Sequence, residues 1–217
     1  MAGTGEPRVL SVNVGDVRTV DVGDRTIATG IWKSPVEGRV AVAGVNLSGD
    51  DQADRTVHGG EDKAVYAYAW EDTLWWQEEL GRALVPGNFG ENLTLAGIAV
   101  ADAVVGERWR VGTALLEVSE PRFPCFKLGI RMGDPKFLKR FAAARRTGTY
   151  LRIVGPGDVG AGDPVEMVAR PDGGVTIGEF TEAYLGDHSL APRLLESTHV
   201  AERWKAWARG REKPAAG

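Results

Sequence analysis

The single cysteine of this 217-residue chain lies in a stretch that favours thiol chemistry. In "RFPCFK", Pro124 fixes its own φ and donates no hydrogen bond, so it directs the approach of the backbone to Cys125. Arg122 and Lys127 place positive charge nearby, which favours the thiolate over the thiol. A thiolate is a nucleophile and a soft metal ligand. The alternative is a buried, inert cysteine.

The residues around and after Cys125 are strongly basic. Between Arg122 and Arg146 there are eight cations and one acid, a net charge of +7 in a chain of net charge -4. This concentration indicates an anionic ligand near the thiol, whereas a solvated basic helix face is the simpler interpretation.

A second group of polar residues occurs in "DRTVHGGEDKAVYAY". Gly59 and Gly60 allow successive backbone N–H groups to point at one anion. Arg55, His58 and Lys63 add donors around that turn. An ordinary polar loop, with His58 in a structural hydrogen bond, is the alternative.

A third group occurs in "VPGNFGENLTL", where two glycines flank Asn88 and Phe89 and a strand follows Glu91 and Asn92. These polar side chains have the donors and acceptors to bind a heterocycle. They equally suit capping of the turn, which is the favoured interpretation for this stretch alone.

The elements that must position these groups are mainly strands. Short alternating segments separated by Gly, Asp and Pro fill the first two-thirds of the chain and predict a closed or nearly closed β-barrel with a few inserted helices. "GPGDVG" matches the spacing of a dinucleotide fingerprint, but a strand-like segment containing Pro164 follows it, so we interpret it as a turn.

Two helices are predicted within the β region. "EDTLWWQEELG" has helical spacing and ends at Gly81, and "DPKFLKRFAAARRTG" has an N-cap at Asp134 and a stop at Gly148. We place a domain boundary near Pro171–Gly174, which divides the chain into a β-barrel domain at 1–170 and an all-α domain of three short helices at 174–213. Thr176 begins the first of these helices with a capping box.

Composition excludes several classes of protein. Hydrophobic residues make up 43% and charged residues 26%, no apolar run reaches about 20 residues, and the N-terminus lacks a secretory pattern, so we expect a cytoplasmic protein that is not in a membrane. One cysteine cannot form an intrachain disulfide or a four-cysteine cluster. Trp204 and Trp207 lie three apart, as in a helix face packed on the barrel, so no nucleic-acid binding is expected.

Together and in this order, "HGGEDKAVYAY", "GNFGENLT" and "RFPCFKL" resemble the MOSC domain, named for the C-terminal domain of molybdenum cofactor sulfurase. The match covers most of residues 8–168, and the tail resembles the three-helix domain of YiiM-like members. The resemblance implies a MOSC-type β-barrel that binds the molybdopterin form of molybdenum cofactor. It also implies an oxidoreductase that reduces N-hydroxylated bases such as hydroxylaminopurine and so detoxifies them.

By position, the resemblance makes Cys125 the catalytic residue and the metal ligand. The expected cofactor-binding residues come from the three motifs: Arg55, His58, Gly59, Gly60, Lys63, Asn88, Phe89, Glu91, Asn92, Arg122 and Lys127. Glu91 and His58 are candidates for the proton donor. A carrier of sulfur or cofactor, with a persulfide on Cys125 and no turnover, is the alternative function.

The expected reductase needs a partner. The chain has no second cysteine and no credible flavin or nicotinamide fingerprint, so it cannot relay electrons from a nicotinamide by itself. We expect an external electron-donor protein, either a flavodoxin-like or iron–sulfur reductase, and a small N-hydroxylated substrate. The basic residues near Cys125 suit an acidic partner.

Overall fold

A computed structural model describes residues 5–51, 53 and 60–211 of the chain. The strands are β1 (Arg8–Val14), β2 (Arg18–Val22), β3 (Arg25–Thr29), β4 (Ser34–Pro35), β5 (Arg39–Ala43), β6 (Asn46–Leu47), β7 (Val65–Ala69), β8 (Leu93–Ala96), β9 (Arg108–Val111), β10 (Ala114–Pro121), β11 (Thr149–Gly155), β12 (Gly157–Gly160) and β13 (Val165–Ala169). The helices are α1 (Trp70–Leu80), α2 (Phe126–Met132), α3 (Phe137–Ala144), α4 (Ile177–Leu185), α5 (Arg193–Glu196) and α6 (Glu202–Arg209).

One large sheet organises the fold. Its eight strands lie in the order β13-β9-β10-β11-β7-β8-β1-β4, and all neighbours are antiparallel except the parallel pair β7 and β8. A three-stranded sheet, β12-β5-β6, and the hairpin β2-β3 complete the strands of the described residues. The mainly β architecture is therefore confirmed.

The predicted barrel is wrong, because the large sheet does not close within the described residues. Its two sides approach where Val9 N donates to Asp163 O at 2.8 Å and Val165 N donates to Pro7 O at 2.9 Å. The outer edge of β1 is shared, however: its first residues meet the chain just before β13, and its last residues pair with β4. No single strand spans that edge, so the ladder stays open.

The tail helices pack on the sheet. Phe180, Leu194 and Ala208 belong to the same buried apolar cluster as the sheet residues Val118 and Leu151. Trp204 and Trp207 pack against this cluster, as predicted. Helix α4 begins with the predicted capping box between Thr176 and Glu179. The division into two domains at residues 170–174 stays a prediction.

The helix boundaries show where local patterns are insufficient. Gly81 ends α1 in the left-handed conformation, as predicted. Helix α3 spans Phe137–Ala144, and its N-cap is Lys136 rather than the predicted Asp134. Arg145, whose φ is 57°, is its C-cap, so the helix ends before Gly148. Helix α2, which begins directly after Cys125, was not predicted from the sequence. "GPGDVG" forms the end of β11 and strand β12, which confirms that it opens no helix. No helix in the described part of the chain is long and apolar enough to cross a bilayer.

Candidate functional site

A pocket that is open to solvent lies beside Cys125. Its wall combines the end of β3, the loop before β8, the starts of β7 and β11 and the start of α2. The lining residues with polar or aromatic groups include Lys33, Asp50, Lys63, Tyr66, Asn92, Arg122, Cys125, Lys127 and Tyr150. The structure therefore brings together residues from all three sequence motifs.

Cys125 occupies the turn between β10 and α2. It is the N-cap residue of α2, with extended φ and ψ of -123° and 163°, and its side chain makes no capping hydrogen bond. The thiol is free and half-buried. Since Leu128 N donates to Cys125 O at 2.9 Å, the backbone is held while the sulfur lines the pocket.

Arg122 is the cation nearest to this sulfur among the contacts of the described residues. It is buried, and its Nη2 lies 4.0 Å from Cys125 Sγ. Its guanidinium also lies 5.7 Å from the centre of the Tyr66 ring. Burial alone would lower the pKa of Arg122, but Cys125, Tyr66 and Tyr150 raise it overall. Arg122 is thus a permanent positive charge beside the thiol.

Two tyrosines form the wall behind Arg122. Burial raises the pKa of Tyr150 to about 12, although the neighbouring Arg122 opposes the shift. Burial also raises the pKa of Tyr66, whose hydroxyl donates to Thr147 O at 2.9 Å. Both phenols are therefore neutral hydrogen-bonding groups at ordinary pH.

A buried ion pair also lines the pocket, and its two residues lie far from the cysteine motif in the sequence. Lys33 Nζ pairs with Asp50 Oδ1, and both side chains are almost fully buried. Asp50 also accepts from Gly15 N at 3.0 Å and from Asn92 Nδ2 at 2.9 Å. Burial lowers the pKa of Lys33, while the nearby Asp50 opposes the shift. This pair was not predicted from the sequence, because its two residues lie 17 positions apart and belong to no recognisable motif.

The glycines of "GNFGEN" allow the loop to lie against the pocket wall. Gly87 has a φ of 84°, and a Cβ there would lie 2.6 Å from Lys33 O. Gly90 has a φ of 81°, and a Cβ there would lie 2.8 Å from Ile31 Cγ1. Any larger residue at either position would be strained and would push the loop away from residues 31–33.

The four residues of this loop that we expect to bind the cofactor divide into two groups. Asn92 and Phe89 line the pocket. Glu91 is fully buried and accepts from Gly87 N at 2.6 Å, Phe89 N at 3.0 Å and Thr94 Oγ1 at 2.9 Å. Burial raises its pKa, although these hydrogen bonds oppose the shift. Asn88 accepts from Val85 N at 3.2 Å and so caps the turn. Glu91 and Asn88 therefore shape the loop that presents the other two.

The Gly-Gly motif lies partly outside the described residues, which exclude Arg55, His58 and Gly59. Gly60 has a φ of 90° and precedes a 3-10 turn, Glu61–Lys63. Lys63 lines the pocket, with its Nζ 3.7 Å from Glu120 Oε1. Lys127 also lines the pocket from the first turn of α2. Within the described residues, the charged groups that line the space beside Cys125 are therefore Lys63, Arg122, Lys127, the Lys33–Asp50 pair and Asp51.

Comparison with known families assigns the chain to a protein family. The family model described as "MOSC domain" matches residues 54–166, just over half of the chain and a span that includes all three motifs. The chain belongs to the MOSC domain family, whose members are associated with binding of molybdenum cofactor.

Similar proteins cover nearly the whole chain. It is 34% identical to an uncharacterized protein, YflK, of Bacillus subtilis, with 91% of each chain aligned. It is 32% identical to YiiM of Escherichia coli over 80% of each. It is 33% identical to a protein named "Reductase" from Gibberella moniliformis, but spans only 31% of that protein. The crystal structure of YiiM from Geobacillus stearothermophilus superposes with a TM-score of 0.79 at 29% identity, over 95% of this chain and all of that one.

Proposed function

We propose that the pocket beside Cys125 binds molybdenum cofactor in its molybdopterin form, with the Cys125 thiolate as a ligand of the metal, and that the protein reduces N-hydroxylated bases. The observation that supports this most strongly is the half-buried thiol that opens on a pocket with Arg122 at its side. The family assignment agrees with the proposed cofactor.

The residues present fit the chemistry of that cofactor. A thiolate matches the soft metal and the sulfur ligands that the cofactor brings. Lys63, Arg122 and Lys127 supply positive charge for a phosphate, and Asn92 with the Lys33–Asp50 pair supplies donors and acceptors for a heterocycle. The bound cofactor would supply two-electron redox chemistry, whereas the chain binds it, orients it and sets its electrostatic surroundings.

One lining residue is suited to proton transfer. Lys33 is buried in the pocket wall with a lowered pKa, and an ammonium of lowered pKa is a better proton donor than an exposed lysine. Glu91 is engaged with backbone N–H groups of its own loop, so Lys33 replaces it as the proposed donor.

Two relatives support the reductase part of the proposal. One is YiiM, and the other carries the name "Reductase". That reductase is about three times as long as the aligned segment. A separate electron-donor protein is therefore part of our proposal for this chain, which has a single cysteine.

The test begins with protein expressed in a host that makes the cofactor. We expect molybdenum and pterin in equal amounts, bound to the wild type and to an Arg209→Met control on the surface of α6. We expect Cys125→Ser to lose most of the metal. With reduced methyl viologen as donor, the wild type should reduce 6-hydroxylaminopurine, and Lys33→Met should slow turnover more than it lowers metal content.

The outcomes separate the candidate functions. Absence of molybdenum, with Cys125→Ser equal to wild type, contradicts the proposal. Bound cofactor without turnover, together with an added sulfur on Cys125 in the intact mass, favours the carrier function instead.

A further inference from the structure

Glu120 connects the C-terminal helix to the pocket. This carboxylate is 2% exposed and lies near the end of β10, two residues before Arg122. Its Oε2 accepts from Trp204 Nε1 at 2.7 Å and pairs with Arg203, and both of these residues are on α6. Its Oε1 lies 3.7 Å from the Nζ of Lys63, which lines the pocket. One buried group therefore touches the tail on one side and a pocket cation on the other.

A second carboxylate fixes the same helix to the turn that carries Lys63. Asp62 accepts from Arg203 Nη1 at 2.5 Å and from Arg152 Nε at 2.6 Å. The backbone oxygen of Asp62 accepts from Ser119 Oγ at 2.5 Å. The 3-10 turn is thus tied to β10, β11 and α6 at once, so Lys63 has little freedom at its backbone.

The cysteine segment is held by the tail as well. Phe123 lies two residues before Cys125, and its ring centre is 4.2 Å from that of Tyr184 and 5.2 Å from that of Trp204. These rings belong to a tail cluster, which we define as Phe123, Phe180, Tyr184, Trp204 and Trp207. Trp204 therefore contacts both Glu120 and the segment that carries the thiol.

We propose that Arg203 and Trp204 are positioning residues for the pocket: they fix Lys63 through the buried carboxylate of Glu120, and they fix the Cys125 segment through Phe123. The inference rests on the proposed function, because it assigns Lys63 and Cys125 to the bound cofactor. It assigns the C-terminal helix a part in binding, in addition to covering the sheet. Neither Arg203 nor Trp204 lines the pocket, so both act through other residues.

A double-mutant cycle tests the path through Lys63. Arg203→Met and Lys63→Met are each expected to speed release of the pterin from the loaded protein about fivefold, a coupling of the size found for charged neighbours. In the Lys63→Met background, Arg203→Met should add less than about twofold, because its effect passes through the missing cation. Arg203→Lys should restore most of the wild-type rate.

Arg209→Met is the matched control for this cycle. Arg209 is on the same helix and, within the described residues, forms an ion pair with Glu202 alone, at 2.6 Å. It should release pterin at the wild-type rate. The proposal is overturned if Arg203→Met acts equally with and without Lys63, or if it behaves like Arg209→Met.

The single thiol gives a readout that does not need the cofactor. In protein made without cofactor, Trp204→Ala should change the rate of Cys125 alkylation by iodoacetamide at least about threefold, because Phe123 loses a neighbour in the segment before the thiol. Trp207→Ala removes a ring of the same cluster that contacts Tyr184 and Trp204 rather than Phe123, so it should leave the rate unchanged. Equal rates in all three proteins contradict the proposal.

The two experiments separate this inference from the proposed function. If the wild type holds no molybdenum, the function is wrong, and the alkylation rates still decide whether the tail positions Cys125. If molybdenum is bound but neither tail variant alters release or alkylation, the function stands and the positioning role is wrong. Thermal unfolding midpoints of all variants exclude global unfolding as the cause.

Discussion

Two aromatic clusters flank the cysteine motif, and they differ in burial. The inner cluster, which we define as Tyr68, Trp76, Phe89, Phe137 and Phe141, lies between β7, α1, α3 and the "GNFGEN" loop and is almost completely buried. The tail cluster around Trp204 packs on the outside of the core, and most of its rings are half-buried. Phe89 of the inner cluster lines the pocket, whereas Phe123 of the tail cluster directly follows the lining residue Arg122 in the chain.

The difference suggests separate tasks for the two clusters. Completely buried rings contribute most to the free energy of unfolding, because their removal leaves a cavity. Half-buried rings contribute less to stability but still fix the position of what they touch. Each cluster is paired with one buried carboxylate. Glu91 accepts from backbone N–H groups beside the inner cluster. Glu120, beside the tail cluster, pairs with Lys63 and Arg203 and accepts a hydrogen bond from Trp204 Nε1.

The largest effect is expected in the inner cluster. Phe141→Ala removes a fully buried ring that packs 6.0 Å from both Trp76 and Phe137, so the free energy of unfolding should fall by about 3–5 kcal/mol. Urea denaturation followed by tryptophan fluorescence measures this. Phe126→Ala, at a ring that is half exposed, is the control and should change stability by less than about 1 kcal/mol. Equal losses in both variants would contradict the larger contribution to stability that we assign to the completely buried rings of the inner cluster.

Glu91→Ala should have the next largest effect. The substitution leaves Gly87 N, Phe89 N and Thr94 Oγ1 without their shared acceptor in a buried site. The free energy of unfolding should therefore fall by about 1–3 kcal/mol. Glu78→Ala, at an exposed position of α1, should change stability by less than about 0.5 kcal/mol. The same denaturation experiment applies. If Glu91→Ala lost turnover but no stability, Glu91 would be a reacting group and not a support of the loop.

Trp204→Phe should lower the free energy of unfolding by about 1 kcal/mol, which is less than the loss expected for Phe141→Ala or Glu91→Ala. The ring stays in the tail cluster, but Glu120 loses the hydrogen bond from Trp204 Nε1. Loss of several kcal/mol would show that the tail cluster is as important for folding as the inner one. No loss at all would show that Glu120 does not depend on Trp204.

The smallest expected effect on the free energy of unfolding comes from Asp62 and should appear only at low pH. Burial would raise the pKa of Asp62, but hydrogen bonds from Arg152 and Arg203 lower it overall, below its ordinary value of 3.8. A carboxyl with a lowered pKa stabilises the fold above its unfolded pKa, and that stability is lost as the pH falls through the folded pKa. Between pH 5 and pH 3, wild-type protein should therefore lose more free energy of unfolding than Asp62→Asn. Parallel pH profiles would contradict this.

Local patterns predicted the elements that depend on neighbouring residues. The capping box at Thr176 and the glycine stop at Gly81 were predicted because each is specified within a few residues. The prediction of a barrel was wrong because the outer edge of β1 pairs partly with β4 and partly with the residue before β13, and these segments are far apart in sequence. Helix α2 was not predicted, because its seven residues follow Cys125 directly and no side-chain cap marks its start.

The candidate site was predicted to the extent that its residues belong to motifs. Cys125, Arg122, Lys127, Asn92 and Lys63 come from the three motifs, and the fold brings them to one pocket. The Lys33–Asp50 pair and the tyrosines could not be predicted, since only the fold brings them together. The roles of all these residues in binding stay predictions.

The accessibility of Cys125 tests the central claim most directly. The same gene is expressed in a host that makes molybdenum cofactor and in one that cannot, and the single thiol of each protein is alkylated with iodoacetamide under native conditions. If Cys125 holds the metal, the loaded protein should label at least about tenfold more slowly, and release of the cofactor should restore the rate. Equal labelling of loaded and cofactor-free protein, with molybdenum present in the first, would show that Cys125 is not a ligand.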